Sequence, residues 1–176
     1  MITYIGLLRG INVSGQKKVP MAELREVLTH CGFQNVQTYI QSGNVIFQSL
    51  EENQTNLEQI IQNKINKQFR FDVSVIVKTS IEIEHILNNC PFSEVKKEKS
   101  YFTLLDNIPE ESFIKSISNE IYNDEEFIVN ANCVYFYSET GYGNAKCNNN
   151  FFERKLKVTA TTRNYKTMVK LLSLST

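Results

Sequence analysis

The sequence predicts an α+β fold of two tandem β-α-β-β-α-β halves with antiparallel sheets, closed by a C-terminal helix. Three observations predict it. Short apolar runs alternate with stretches of helical period; the first six such elements come in the order β-α-β-β-α-β; and that order begins again near residue 100. With 176 residues, 41% hydrophobic and 22% charged, the chain is long enough for two small cores and too apolar to be disordered.

The elements follow in turn. Thr3-Tyr4-Ile5-Gly6-Leu7-Leu8-Arg9 is a nearly continuous apolar run stopped by Gly10, as in a well-buried strand. Met21, Leu24, Val27, Leu28 and Cys31 share one helical face, with Pro20 suited to the first turn and Gly32 to a left-handed C-cap. Residues 36–40 and 45–47 read as strands joined by a turn at Ser42-Gly43-Asn44. Leu57, Ile60, Ile61 and Ile65, with Phe69, form the stripe of a second helix, and Val73, Val75 and Val77 alternate as a strand. A short helix at 81–87 ends at Cys90-Pro91. Tyr101-Phe102-Thr103-Leu104-Leu105 then echoes the first strand, and a helix after Pro109 carries Phe113, Ile114 and Ile117. Residues 127–129 and 134–137 form a hairpin around Asn130-Ala131-Asn132-Cys133, followed by a short helix at 151–156, a strand at 158–161 and a last helix from about residue 164. Each half therefore has the ferredoxin-like order, with residues 1–79 as the first subdomain and 80–176 as the second, including the linking and C-terminal helices.

The 19 basic and 19 acidic side chains cancel overall but not locally. Residues 1–80 hold 8 basic and 6 acidic groups, residues 81–145 hold 4 and 12, and residues 146–176 hold 7 and 1. Either the acidic middle and basic tail neutralise one another, or the tail offers cations to phosphate. No apolar run is long enough to span a bilayer, and residues 1–15 lack the pattern of a signal peptide, so the expected location is the cytoplasm, away from membranes. Cys31, Cys90, Cys133 and Cys147 are scattered and the only histidines are His30 and His85, a set that predicts reduced thiols and no metal site.

Three segments have the residue types of a binding site. Arg9-Gly10-Ile11-Asn12-Val13-Ser14-Gly15-Gln16-Lys17-Lys18 offers two glycines for close backbone approach and several donors to an oxyanion. Gly10 and Gly15 have the spacing of a P-loop, but Gln16-Lys17 stands where Lys-Ser/Thr is required, and the sheet is not parallel, which excludes nucleotide hydrolysis of that type. Gln41-Ser42-Gly43-Asn44 fits a plain hairpin turn as well as a site. Thr161-Thr162-Arg163-Asn164 enters the last helix, with Thr162 a candidate cap and the free N–H groups suited to an anion. RNA readout in the manner of an RNA-recognition motif is poorly supported, since the first and third strands carry only Tyr4 and Phe47. Nothing identifies a nucleophile: Cys31 lies on an apolar stripe, and Asp124-Glu125-Glu126 reads as a solvated turn.

Leu7-Leu8-Arg9-Gly10-Ile11-Asn12-Val13-x-Gly15, Met21-x-x-Leu24, Gly32-Phe33, Thr38-Tyr39-Ile40-Gln41-Ser42-Gly43-Asn44-Val45 and Thr162-Arg163-Asn164-x-x-Thr167 together resemble the bacterial domain-of-unknown-function family numbered 1697. The resemblance implies a compact protein of ferredoxin-like subdomains and brings no activity with it. The family commonly has Trp after the Arg-Asn pair, where this chain has Tyr165 and no Trp anywhere. The motif positions Arg9, Gly10, Asn12, Gly15, Lys17, Ser42, Gly43, Asn44, Arg163 and Asn164 are the expected ligand-binding residues. Their chemistry points to a phosphate-bearing ligand, a nucleotide or nucleic acid, with no cofactor. An interaction module, or an enzyme of unknown reaction at the same residues, are the alternatives, and the oligomeric state is open.

Overall fold

The computed structural model describes residues 1–13, 15–118, 120 and 122–176. They fall into two compact units, Met1–His85 with Lys170–Thr176, and Ile86–Val169. In the first, β1 (Ile2–Leu8), α1 (Met21–Thr29), β2 (Gln34–Tyr39), β3 (Asn44–Ser49), α2 (Gln54–Phe69) and β4 (Val75–Thr79) form an antiparallel sheet in the order β2-β3-β1-β4, followed by α3 (Ser80–Asn88). This is the ferredoxin-like topology. β1 is a central strand because its run from Tyr4 to Leu8 has no charged side chain and its one hydroxyl, on Tyr4, donates to the Glu51 carbonyl at 3.1 Å, so that Tyr4, Ile5, Leu7 and Leu8 are all buried.

Alternation sorts the sheet's two faces. Tyr4, Leu8, Val45, Phe47, Val75 and Val77 pack in one core with Leu24 and Leu28 of α1 and Leu57, Ile61 and Ile65 of α2. Tyr4 and Phe47 thus point into this core, their ring centroids 5.7 Å apart, and neither offers a face for stacking a base. Ile5, Leu7, Ile46 and Ile76, of opposite parity, are buried as well. The helices begin and end where local chemistry demands. Asn53 starts α2 ahead of its apolar stripe by accepting from the Asn56 N–H at 3.1 Å, and Arg70 ends it in the left-handed conformation. α3 opens on a capping box: the Glu82 N–H donates to the Thr79 hydroxyl at 3.2 Å, and the Thr79 N–H donates to the Glu82 carboxylate at 2.8 Å.

The second unit contains α4 (Glu94–Lys97), β5 (Tyr101–Leu105), α5 (Glu111–Ser118), β6 (Glu125–Asn130), β7 (Cys133–Ser138), α6 (Asn149–Leu156) and β8 (Ala160–Asn164), with α7 (Tyr165–Ser175) starting in it. Its sheet order is β6-β7-β5-β8, again antiparallel, so the ferredoxin-like order recurs. The core is more aromatic: Phe127 and Phe136 meet Phe152 with centroids 5.4 and 6.0 Å apart, and Phe151 meets Phe152 edge-on at 5.3 Å. Tyr135 lies edge-on to Phe102 at 5.6 Å and donates its hydroxyl to the Ile86 carbonyl at 2.9 Å, which makes it a core residue. None of the described helices is long and apolar enough to cross a membrane.

Two details differ from the sequence expectation. The short helix α4 stands where the sequence predicts no element, and the last strand lies further along the chain than 158–161. The second shift has a clear cause. Lys157 ends α6 in the left-handed conformation, and the chain needs two more residues before it pairs with β5.

Equivalent backbone bonds hold the first strand of each half. Leu8 N–H donates to Gly43 O at 2.8 Å and Arg9 N–H to Ser74 O at 2.9 Å; Leu105 N–H donates to Asn132 O at 2.9 Å and Asp106 N–H to Thr159 O at 3.0 Å. Gly43 sits at φ +78°, and a Cβ there would lie 2.7 Å from the Leu8 Cβ and 3.0 Å from Ile11. Gly43→Ala is therefore expected to destabilise the chain by about 2–5 kcal/mol, from left-handed strain and overpacking together, read as a lower denaturant midpoint at unchanged slope.

Glu82 gives a pH test. Burial pushes its carboxyl up, but the Thr79 N–H, the Lys78 ammonium 3.5 Å away, the Gln54 amide and the Thr79 hydroxyl outweigh that and hold it below its ordinary value of 4.5. A carboxyl lowered on folding adds stability that is fully present above the unfolded value and is lost as pH falls through the folded one. Glu82→Gln is expected to flatten the loss of stability between about pH 5 and about pH 3, measured by denaturant midpoints, relative to the unaltered chain.

Candidate functional site

Arg9 is the first polar side chain after the buried run of β1, and it emerges half-buried at the strand's end. Gly10 and Gly15, at φ +65° and +75°, turn the chain out and back. The described residues on either side of Ser14 pair as a small hairpin: Val13 bridges Gln16, and Asn12 N–H donates to Lys17 O at 3.1 Å. Ser14, a candidate donor in the sequence, lies outside the described residues. The Asn12 side chain clamps the base of this hairpin. Its amide donates to Val19 O at 3.0 Å and to Gln41 O at 2.9 Å, and its oxygen accepts the Val19 N–H at 2.8 Å.

The Gln41 contact joins the hairpin to the β2–β3 turn. In that turn the buried Asn44 amide donates to Tyr39 O and to the Ser42 hydroxyl, both at 3.0 Å. Asn12, Ser42, Gly43 and Asn44 therefore brace one another's loops, and Asn12 acts as the tie between them.

Lys17, held at φ +44°, points the other way along the hairpin and donates to the Asp72 carbonyl at 2.6 Å. Arg9 and Lys17 thus line the same open depression, of about 560 Å³, together with Gln62, Asn63, Asn66 and Asp72. Lys18 lines a separate depression with Asn12, Gly15 and Gln41 at the start of α1. Gln62, Asn63 and Asn66 fall on one side of α2, at the spacing of successive helical turns. Sequence reasoning passed over them because a polar helix face reads as solvated. The available signal is that this stretch carries amides where charged groups are more usual.

Arg163 and Asn164 belong to the second unit, and the sequence placed them in a loop entering α7. They lie on β8 instead. Arg163 is buried and donates to the Thr161 hydroxyl at 2.8 Å and the Thr162 carbonyl at 2.9 Å; desolvation lowers its pKa to about 10. Asn164, rather than Thr162, caps α7, accepting the Thr167 N–H at 2.8 Å. The Thr162 hydroxyl pairs with Thr103 across the strands at 2.8 Å and donates to Asn149 at 3.0 Å.

The other groups the sequence singled out are also engaged. Cys31 donates its thiol to Val27 O at 3.1 Å, and burial pushes its pKa up. All four cysteines are free thiols. The Glu125 carboxylate accepts the Lys146 and Cys147 N–H groups at 2.7 and 2.8 Å, while Lys96 pairs with Glu126 and Lys155 with Glu120. Among the described residues no cluster of three His, Cys, Asp or Glu is placed to hold a metal ion.

Residues 1–135 match the model of the family described as "Protein of unknown function (DUF1697)". The chain belongs to the DUF1697 family. The match spans β1, the hairpin, the β2–β3 turn and α2, and therefore every residue of the Arg9–Lys17 depression. The DUF1697 chain is also similar in fold to a solved structure, "The structure of conserved bacterial protein SP0830 from Streptococcus pneumoniae", at 26% identity and a TM-score of 0.77, over 99% of this chain and 98% of that one. No curated protein matches it.

Asn12 supplies the test of how this DUF1697 loop is held. Asn12→Ala removes three side-chain bonds from a partly buried site and is expected to cost about 1–3 kcal/mol of stability. It is also expected to speed hydrogen exchange at the Val19 N–H more than at the strand amides of β1.

Proposed function

We propose that the chain binds a phosphate-bearing small molecule at the depression lined by Arg9 and Lys17. The observation that supports this reading most directly is the convergence of those two cations on one open volume of about 560 Å³. That size falls within the roughly 300–1,000 Å³ of typical small-ligand sites. A guanidinium offers a planar fork of donors to phosphate oxygens, and an ammonium has three donors, of which the Lys17 bond to Asp72 O takes one.

The motif residues act at two levels in this reading. Arg9 and Lys17 touch the ligand. Asn12, Ser42, Gly43 and Asn44 keep the hairpin and turn in place, so that Lys17 faces the depression. Arg163 and Asn164 are structural groups of β8 and α7. A concave site of this size favours one phosphate-bearing molecule over a polynucleotide, which needs an extended basic track.

The test is calorimetric titration of the full chain with inorganic phosphate and adenosine monophosphate at low and raised salt. Binding weakened by salt is expected. Arg9→Ala is expected to lower affinity about 10–100-fold, the loss of a charge-assisted hydrogen bond, and Lys17→Ala to lower it less. Lys18→Ala, in the neighbouring depression, is expected to leave affinity within about twofold. Absence of binding, or binding indifferent to Arg9→Ala and Lys17→Ala, overturns the reading.

A further inference from the structure

Beyond its two cations, the Arg9–Lys17 depression is walled mainly by polar groups, most of which both donate and accept. Gln62, Asn63 and Asn66 come from α2, Asp72 and Ser74 from the segment before β4, and Val73 is the one apolar residue among the described residues of the lining. Among the described residues no aromatic ring lines it, although the Phe71 ring centroid lies 6.0 Å from the Lys17 ammonium. A nucleobase seeks a flat apolar or aromatic face, whereas a hydroxyl-bearing carbon chain needs partners that give and take hydrogen bonds at once. A primary amide does both, and a carboxylate accepts from hydroxyls. The Asn66 amide donates to the Asp72 carboxylate at 2.8 Å, while no hydrogen bond within the described residues occupies the Gln62 or Asn63 side chains.

The second half shows that the fold does not impose this lining. The corresponding end of β5, where Asp106 takes the place of Arg9 in the backbone scheme, opens on a depression of about 470 Å³. Ile108, Pro109, Phe113, Leu156 and Val158 line it beside the carboxylates of Asp106, Glu110 and Glu153, with one cation, Lys157, and one amide, Asn107. The same strand-end geometry thus accepts a wall with three carboxylates, five apolar residues and one cation in one half, and one with two cations, three amides and one carboxylate in the other. The amides of α2 belong to this chain's first half and not to the topology.

We infer that the ligand of the first-half depression is a sugar phosphate, its phosphate on Arg9 and Lys17 and its hydroxyls on the Gln62 and Asn63 amides of α2. This rests on the phosphate reading above and specifies what the phosphate is attached to. Asp72 has a role in it: a carboxylate beside two cations disfavours a bare polyanion and rewards a ligand that brings hydroxyl donors along with its charge.

The experiment titrates the full chain with inorganic phosphate, ribose 5-phosphate and adenosine monophosphate, which share one phosphate and, in the last two, one sugar. Ribose 5-phosphate is expected to bind at least about 10-fold tighter than inorganic phosphate, with adenosine monophosphate no tighter than ribose 5-phosphate. Gln62→Ala and Asn63→Ala change exposed or half-exposed positions of α2 and leave the fold intact by circular dichroism. Each is expected to weaken ribose 5-phosphate about 3–10-fold while leaving inorganic phosphate unchanged. If phosphate binds but the sugar adds nothing, if the base supplies the gain, or if the amide variants bind ribose 5-phosphate as the unaltered chain does, the sugar-phosphate inference falls and the phosphate reading stands. If neither phosphate nor any of its esters binds, the phosphate reading itself fails, and the inference with it.

Discussion

The first strand of each half is hydrogen-bonded on both edges and buried on both faces, and most of the structure follows from that. A strand so placed tolerates no unpartnered polar side chain along its length. β1 accordingly runs from Tyr4 to Leu8 without one, and β5 admits only Thr103, whose hydroxyl is matched by Thr162 on the neighbouring strand. Polar chemistry is displaced to the strand's end. Arg9 and Asp106 are the first charged residues the chain can place, and each stands where its strand leaves the sheet beside the segment that returns from the second helix. Ligand-sized concavities form there because two chain segments diverge while their last backbone bond, Arg9 to Ser74 or Asp106 to Thr159, still holds them together.

Holding the loop that carries Lys17 is a separate task, and Asn12 performs it. One amide side chain satisfies both backbone groups of Val19 and one of Gln41, which links the start of α1, the hairpin and the β2–β3 turn through a single residue. Asn12 adopts positive φ, a conformation that asparagine tolerates better than most residues. Gly43 completes the arrangement from the other side, where Leu8 and Ile11 leave no room for a Cβ. The polar motif of the first half is thus mainly a brace, and the cations are what it positions.

The architecture was legible because burial writes itself into periodicity. The run in β1, the stripe Leu57–Ile61–Ile65 and the alternation of Val73, Val75 and Val77 each have one structural solution, and the order of elements then gives the sheet. The site was legible only in part. Arg9 and Lys17 were found because glycines flank them, but Arg9-to-Asn12 and Arg163-to-Asn164 look alike on paper and differ in space. Arg163 occupies a strand position opposite Phe102, among buried side chains, and its donors serve Thr161 and Thr162. Nothing in a run of Thr, Thr, Arg and Asn distinguishes a strand with a buried guanidinium from a loop with an exposed one. Gln62, Asn63 and Asn66 escaped for the opposite reason, since an exposed helix face carries no periodic signal beyond being polar.

The charge distribution, +2, −8 and +6 along the chain, resolves in the same local terms. Lys155 of the basic tail pairs with Glu120 of the acidic middle, and Glu125 receives the backbone N–H groups of Lys146 and Cys147. These contacts lie within the second unit, where the ion pair of Lys155 with Glu120 joins the acidic and basic stretches. In the first stretch Lys78 pairs with Glu82 of the acidic middle at 3.5 Å. Arg9 and Lys17 line a depression there together with Asp72. The two halves share a topology, yet the strand end of one opens beside Asp106, Glu110, Glu153 and Lys157, and that of the other beside Arg9, Lys17 and the amides of α2.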